Sequence, residues 1–154
     1  MTVYERIIEK LKVDGCVFET AHHEPTRTSE DAARIRGVDL RTGAKALVLR
    51  GSKTKKHALF VIPADLKLDS KKVKSVFGEE VSFASDPEAV TGCVPGSVPP
   101  FGSVIGLKTF VDPRLAENEH INFNAGSLTD SVRMRYEDYL RLEQPVVAEI
   151  TKPT

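Results

Sequence analysis

Thr2-x-x-Glu5 has the spacing of a capping box, and Tyr4, Ile7, Ile8 and Leu11 follow at helical intervals before Gly15. This pattern predicts a first helix with one apolar stripe laid against a sheet and a left-handed glycine at its end. Residues 17–21 are short and partly alternating, which predicts a strand. Pro25 disfavours helix at Glu24, so the polar stretch from His22 to Arg27 is a loop or a strand end. Thr28 or Ser29 caps a short helix through Ala32, Ala33 and Ile35, closed by Gly37. Residues 44–50 and 57–63 are apolar, β-leaning runs, and Gly51-Ser52-Lys53-Thr54 between them reads as a hairpin turn.

Farther along, Asp69 starts a helix whose inner face is Val73, Val76 and Phe77 and whose stop is Gly78. A strand is predicted at 81–84, then a short helix with Pro87 in its first position, capped by Ser85 or Asp86 and ended by Gly92. Residues 93–102, CVPGSVPPFG, carry three prolines and two glycines among apolar residues, the composition of a rigid loop. Strands follow at 103–107, 109–112, 120–124 and 131–135, with a terminal helix at 136–142. Strands and helices mix without a regular βαβ rhythm. The expected class is α+β, one domain over residues 1–154, with a mixed, largely antiparallel sheet flanked by short helices.

A chain of 154 residues, 40% hydrophobic and 29% charged, can bury a core without disulfide or metal. Glu5, Arg6, Glu9 and Lys10 interrupt the N-terminus, so it reads as neither signal nor membrane span, and a cytoplasmic protein is expected. Cys16 and Cys93 stand alone, which suits a reducing compartment. Net charge is zero, yet residues 27–74 hold 13 Lys/Arg against 5 Asp/Glu. That asymmetry points to a local anionic partner. Lys53, Lys55, Lys56, Lys71, Lys72 and Lys74 are its candidate contacts; the alternative is a solvated hairpin tip and helix face.

No phosphate-binding P-loop, nucleophile elbow, H-E-x-x-H or dinucleotide glycine fingerprint is present. His22 and His23 are adjacent and point to opposite faces of an extended chain, while His57 and His120 lie in other elements, so neither a metal site nor a cofactor is expected. Cys93 reads as a small buried hydrophobe, with no histidine near it in sequence. Lys45 is the most informative residue, because it begins an otherwise apolar strand where charge is costly unless it reaches water or a partner. It either snorkels to solvent or aims three donors at a phosphate, a ribose hydroxyl or an ester carbonyl. The loop Gly96-Ser97-Val98-Pro99-Pro100-Phe101-Gly102 is the second feature: a backbone that a ligand can approach closely beside a stiffened wall, or else a tight connection.

His23-Glu24-Pro25, Thr28 to Ala33, Arg36-Gly37, Gly43 to Leu47, Thr91-Gly92, Gly96 to Gly102 and Phe123 to Gly126 together resemble the YbaK/ProX family, the editing domain associated with prolyl-tRNA synthetase. The resemblance covers residues of about 20 to 135. It implies a trans-editing deacylase that hydrolyses the ester of tRNA mischarged with a small amino acid, of the Ala, Ser, Thr or Cys class. It implies a central role for Lys45, and a pocket shaped by the G-x-x-x-P loop, with His23, Thr28, Gly126 and Ser131 also at the substrate. Water or a substrate group attacks, without a protein nucleophile or metal. Ala21 or His22 stands where some members carry an aromatic residue, and Ser131, beside Asp130, where some carry an acid. Those departures leave the amino acid open. The implied partners are mischarged aminoacyl-tRNA at its acceptor end and a synthetase, with no membrane and no DNA. The rival readings are a non-catalytic tRNA-binding accessory module of a synthetase assembly and a small-molecule esterase.

Overall fold

The structure is a computed structural model that describes residues 1–153. Two sheets form its frame. The smaller places β1 (Phe18–His22), β7 (Asp130–Arg135) and β6 (His120–Asn124) side by side, all antiparallel. The larger runs β4 (Val81–Phe83), β2 (Ala44–Gly51), β3 (His57–Pro63), β5 (Thr109–Val111) and β8 (Val146–Val147). Its β4-β2-β3 half is antiparallel, and β3-β5-β8 is parallel. The α+β class with largely antiparallel pairing holds, but the strands divide between two sheets where one was expected. They meet at a parallel bridge from Gly43 to Asn122.

Strand β3 shows that the larger sheet carries a core on each face. Its run HALFVIP lacks alternation because Leu59 and Val61 face one core while Phe60 and Ile62 face another. The first core lies between the sheets, where Val48, Phe123, Val132 and Met134 meet Ile7 and Leu11 of α1 (Val3–Asp14) and Tyr139 of α6 (Tyr136–Glu143). The second packs Phe60 flat on Phe110, ring centroids 4.8 Å apart, under Val73 of α3 (Ser70–Phe77). The capping box Thr2/Glu5 and the caps Thr28, Asp69 and Asp86 form as the sequence indicates, ahead of α1, α2 (Ser29–Arg36), α3 and α4 (Pro87–Thr91).

The strand expected at 103–107 is instead a single helical turn, α5 (Gly102–Ile105). Its β-branched residues suggested a strand. Glu143, however, accepts from the Ser103 N–H and hydroxyl and from Thr109, and Gly106, at φ +77°, ends the turn at once. The sequence also gave no warning of β8, or of the 3-10 turns Leu40–Thr42 and Pro113–Glu117. The C-terminal segment is tied down by buried Asp112, whose carboxylate accepts from the N–H groups of Ile150 and Thr151 and from the Thr151 hydroxyl. Among the described residues no helix is long and apolar enough to cross a membrane.

Candidate active site

A cavity of about 470 Å³ opens where the two sheets meet beneath α2. Ala32 and Ala33 of α2, Ala44 and Ala46 of β2, and Ala64 line it, and these short side chains leave the space open. Asn122 and Asn124 of β6 and Gly96 complete the wall. On β6, period-two alternation sends Ile121 and Phe123 into the inter-sheet core, while both asparagines share the opposite face.

Arg36, the last residue of α2, organises the polar part of this wall. Its Nε donates to Ser131 Oγ at 2.9 Å, Nη1 to Asn122 Oδ1 at 2.8 Å and Nη2 to Asn124 Oδ1 at 2.6 Å. Those bonds fix both amides: Asn122 Nδ2 donates to Thr42 Oγ1, and Asn124 Nδ2 donates to Thr26 Oγ1 and to the Gly96 carbonyl. One guanidinium thus ties α2, β6, β7 and the Gly96 loop together. All its protein partners are neutral oxygens, and it enters no ion pair among the described residues. Burial without a counter-charge lowers its pKa to about 10, which leaves it charged at neutral pH.

His23 and Ser131, both expected at the substrate, lie behind Arg36 and not on the cavity wall. His23 Nδ1 contacts the Glu24 carbonyl at 2.8 Å, so that nitrogen is the donor. Its Nε2 therefore accepts from Ser131 Oγ at 2.6 Å, and Ser131 in turn accepts from Arg36. The pair orients the guanidinium.

Lys45 stands on the cavity wall at the start of β2, exposed, and enters no ion pair among the described residues. Thr28 lines the cavity while its hydroxyl caps α2 by accepting from Asp31 N–H. The proline loop divides. Gly96, at φ +87°, and Val98 face the cavity. The remainder anchors the loop: the Ser97 hydroxyl donates to Val94, and the Ser97 carbonyl accepts from Gly126 N–H. Tyr139 donates to the Pro100 carbonyl at 2.7 Å. Buried Pro99 and Phe101 belong to the core side, and Gly102 passes so close to Thr109 and Leu107 that no Cβ would fit.

Cys93 is 2% exposed, its thiol directed at the Thr91 carbonyl, and burial pushes its pKa up, as expected of a structural cysteine. Sequence reasoning missed Thr26, Asn122 and Asn124 and gave Arg36 no role. The Asn-Phe-Asn alternation on β6, polar toward a covered face, was the available signal. The six lysines of the basic segment lie outside this cavity, on the hairpin tip and on α3.

The aminoacyl-tRNA editing domain family model matches residues 23–142, which takes in every lining residue of the cavity. The chain belongs to this family. The editing domain is similar to "Multifunctional Ser/Thr-tRNA deacylase ProXp-y" of Escherichia coli (strain K12), 39% identical over 148 residues, covering 92% of this chain and 89% of that protein. It is also similar to "Prolyl-tRNA editing protein ProX" of Acetoanaerobium sticklandii, 26% identical over 138 residues, covering 85% of this chain and 82% of that one. A crystal structure of a candidate trans-editing enzyme for prolyl tRNA synthetase shares the fold of the editing domain, with a TM-score of 0.85 at 24% identity over 99% of each chain.

Proposed function

We propose that the protein is a cytoplasmic hydrolase that releases Ser or Thr from mischarged tRNA, with residues 1–154 forming one editing unit. The observation that carries this reading is Lys45: an ammonium that, among the described residues, has no carboxylate partner, on the wall of a cavity lined by neither cysteine nor histidine. Its three donors and fixed positive charge suit the acyl-ribose end of the substrate. Water bonds to the ester carbonyl carbon, charge collects on the carbonyl oxygen, and the bond to the ribose oxygen breaks as that oxygen takes a proton. Free amino acid and tRNA leave.

The choice of a hydroxyl amino acid rests on the wall and on the name of the ProXp-y relative. Thr26 Oγ1 accepts from Asn124 and keeps its own O–H to donate, beside alanines that leave room for a small side chain. A site that hydrogen-bonds a hydroxyl discriminates well against analogues lacking one. The test is a panel of Ser-, Thr- and Ala-charged tRNA with purified protein. Many turnovers per protein on the Ser and Thr substrates support the reading. Binding without turnover would make the chain an accessory module of a synthetase assembly instead.

A further inference from the structure

The eight-residue helix α3 is too short to cover the outer face of the larger sheet, and the uncovered part forms a second groove of about 420 Å³. Leu47, Ile62, Val73 and Val81 make its floor and sides. Phe83 stands at its edge, 66% exposed, and it is the only exposed Phe or Tyr among the described residues. Lys45, Lys67 and Lys152 are its charged residues, and no Asp or Glu lines it among the described residues. Of the carboxylates nearest in sequence, Asp69 caps α3, Glu80 pairs with Lys74, and Asp65 lies beside Leu66 without lining the groove. The groove and the cavity share Lys45 and Leu47, so the two adjoin at the start of β2, with Phe83 at the far side of the groove.

An apolar floor, an exposed ring and cations without acids suit a ligand that is flat and apolar on one side and anionic on the other. A single-stranded nucleotide has that form: its base stacks on an aromatic face, and its phosphate meets lysine. We propose that this groove holds the unpaired nucleotide preceding the aminoacylated adenosine, with its base against Phe83 and its backbone phosphates beside Lys67, Lys152 and Lys45. The inference rests on the deacylase reading and adds a subsite to it. The subsite tolerates any base, since every base offers a π-face, and it makes the enzyme prefer a polynucleotide substrate to an isolated aminoacyl nucleoside. An apolar acyl ligand and a second copy of this chain are the competing occupants.

Phe83 pairs only at the sheet edge, with its ring in solvent, so Phe83→Ala should leave the fold intact; Phe83→Tyr retains the ring as a control. On mischarged tRNA, Phe83→Ala and the double variant Lys67→Ala/Lys152→Ala should each lose about tenfold in kcat/KM, the first through one lost base stack and the second through lost phosphate contacts. On 3′-O-seryl-adenosine, which lacks the preceding nucleotide, both should match the wild type, and Phe83→Tyr should match it on both substrates. Equal losses on the two substrates, or no loss on either, would overturn the subsite. Direct binding separates this result from a failure of the deacylase reading. Wild-type protein should bind the trinucleotide CpCpA about tenfold more tightly than adenosine monophosphate, with the difference lost in Phe83→Ala, whether or not turnover is seen. Equal affinity for the two, or concentration-dependent dimerisation that Phe83→Ala abolishes, would assign the groove to another occupant.

Discussion

At φ +87°, Gly96 adopts a backbone conformation that L side chains rarely take, yet a Cβ there would meet only Leu128, at 3.4 Å. The constraint is therefore backbone angle more than cavity space. Gly96→Ala should destabilise the protein by about 1 kcal/mol and lower activity on Ser- and Thr-charged tRNA alike. Melting temperature and kcat/KM on both substrates check this; a loss confined to Thr with unchanged stability would mean that the methyl group intrudes on the substrate instead. Arg36 is the counterpart among charged residues. Arg36→Met leaves the Ser131, Asn122 and Asn124 oxygens without their donor, so urea unfolding should show a loss of roughly 2–4 kcal/mol. Arg36→Lys should recover little of it, because an ammonium cannot reproduce the fork. Unchanged stability in Arg36→Met would mean that relief from a buried charge offsets the lost bonds.

Element types were legible wherever a local signal agreed with tertiary context. Thr2, Thr28, Asp69 and Asp86 cap the helices they were expected to cap, because capping is decided within four residues. The 103–107 run failed for the opposite reason: Glu143, distant in sequence, supplies the acceptors that turn it into a helix. Arg36 lost its meaning in sequence similarly, since its partners on β6 and β7 lie 86 to 95 positions away. The β2–β3 hairpin shows one more long-range dependence. The Thr54 hydroxyl and the N–H groups of Thr54 and Lys53 donate to Glu79, and these bonds hold its carboxyl below the usual carboxylate range. A depressed carboxyl contributes order above its unfolded pKa and loses it as pH falls through the folded value. Amide exchange at Lys53 and Thr54, corrected for intrinsic rates, should therefore accelerate as pH drops below about 4.5. Glu79→Gln should remove that pH dependence, and a wild type without the acceleration would show that the tip is ordered by other means.

At the scale of the whole molecule, the six lysines of the basic segment divide between the hairpin tip and α3. The hairpin tip lies roughly 20 Å along β2 from Lys45 by strand rise, and Lys55 there already donates to the Ser52 carbonyl. Exposed Lys71 and Lys74, the latter paired with Glu80, sit on α3, whose Ser70 and Val73 line the groove that adjoins the cavity. Neutralising Lys71 and Lys74 should raise KM for tRNA and reduce the salt dependence of kcat/KM by about one to two units of log-log slope, with kcat nearly constant. Neutralising Lys53, Lys55 and Lys56 should change KM less than twofold, the mark of a solvated tip. The reverse ranking would place the acceptor stem along the hairpin.

In the proposed reaction Lys45 binds and polarises the substrate while contributing nothing to packing, for it is exposed and its strand is held by β3 and β4. Single-turnover deacylation of Ser-charged tRNA by wild type, Lys45→Ala and Lys45→Arg, alongside thermal melts of the three, addresses this directly. The expected result is a loss of at least about a hundredfold in rate for Lys45→Ala at an unchanged melting temperature, with Lys45→Arg also impaired because a planar fork replaces a compact ammonium. A folded Lys45→Ala protein that deacylates at the wild-type rate would contradict the assignment of this cavity as the active site.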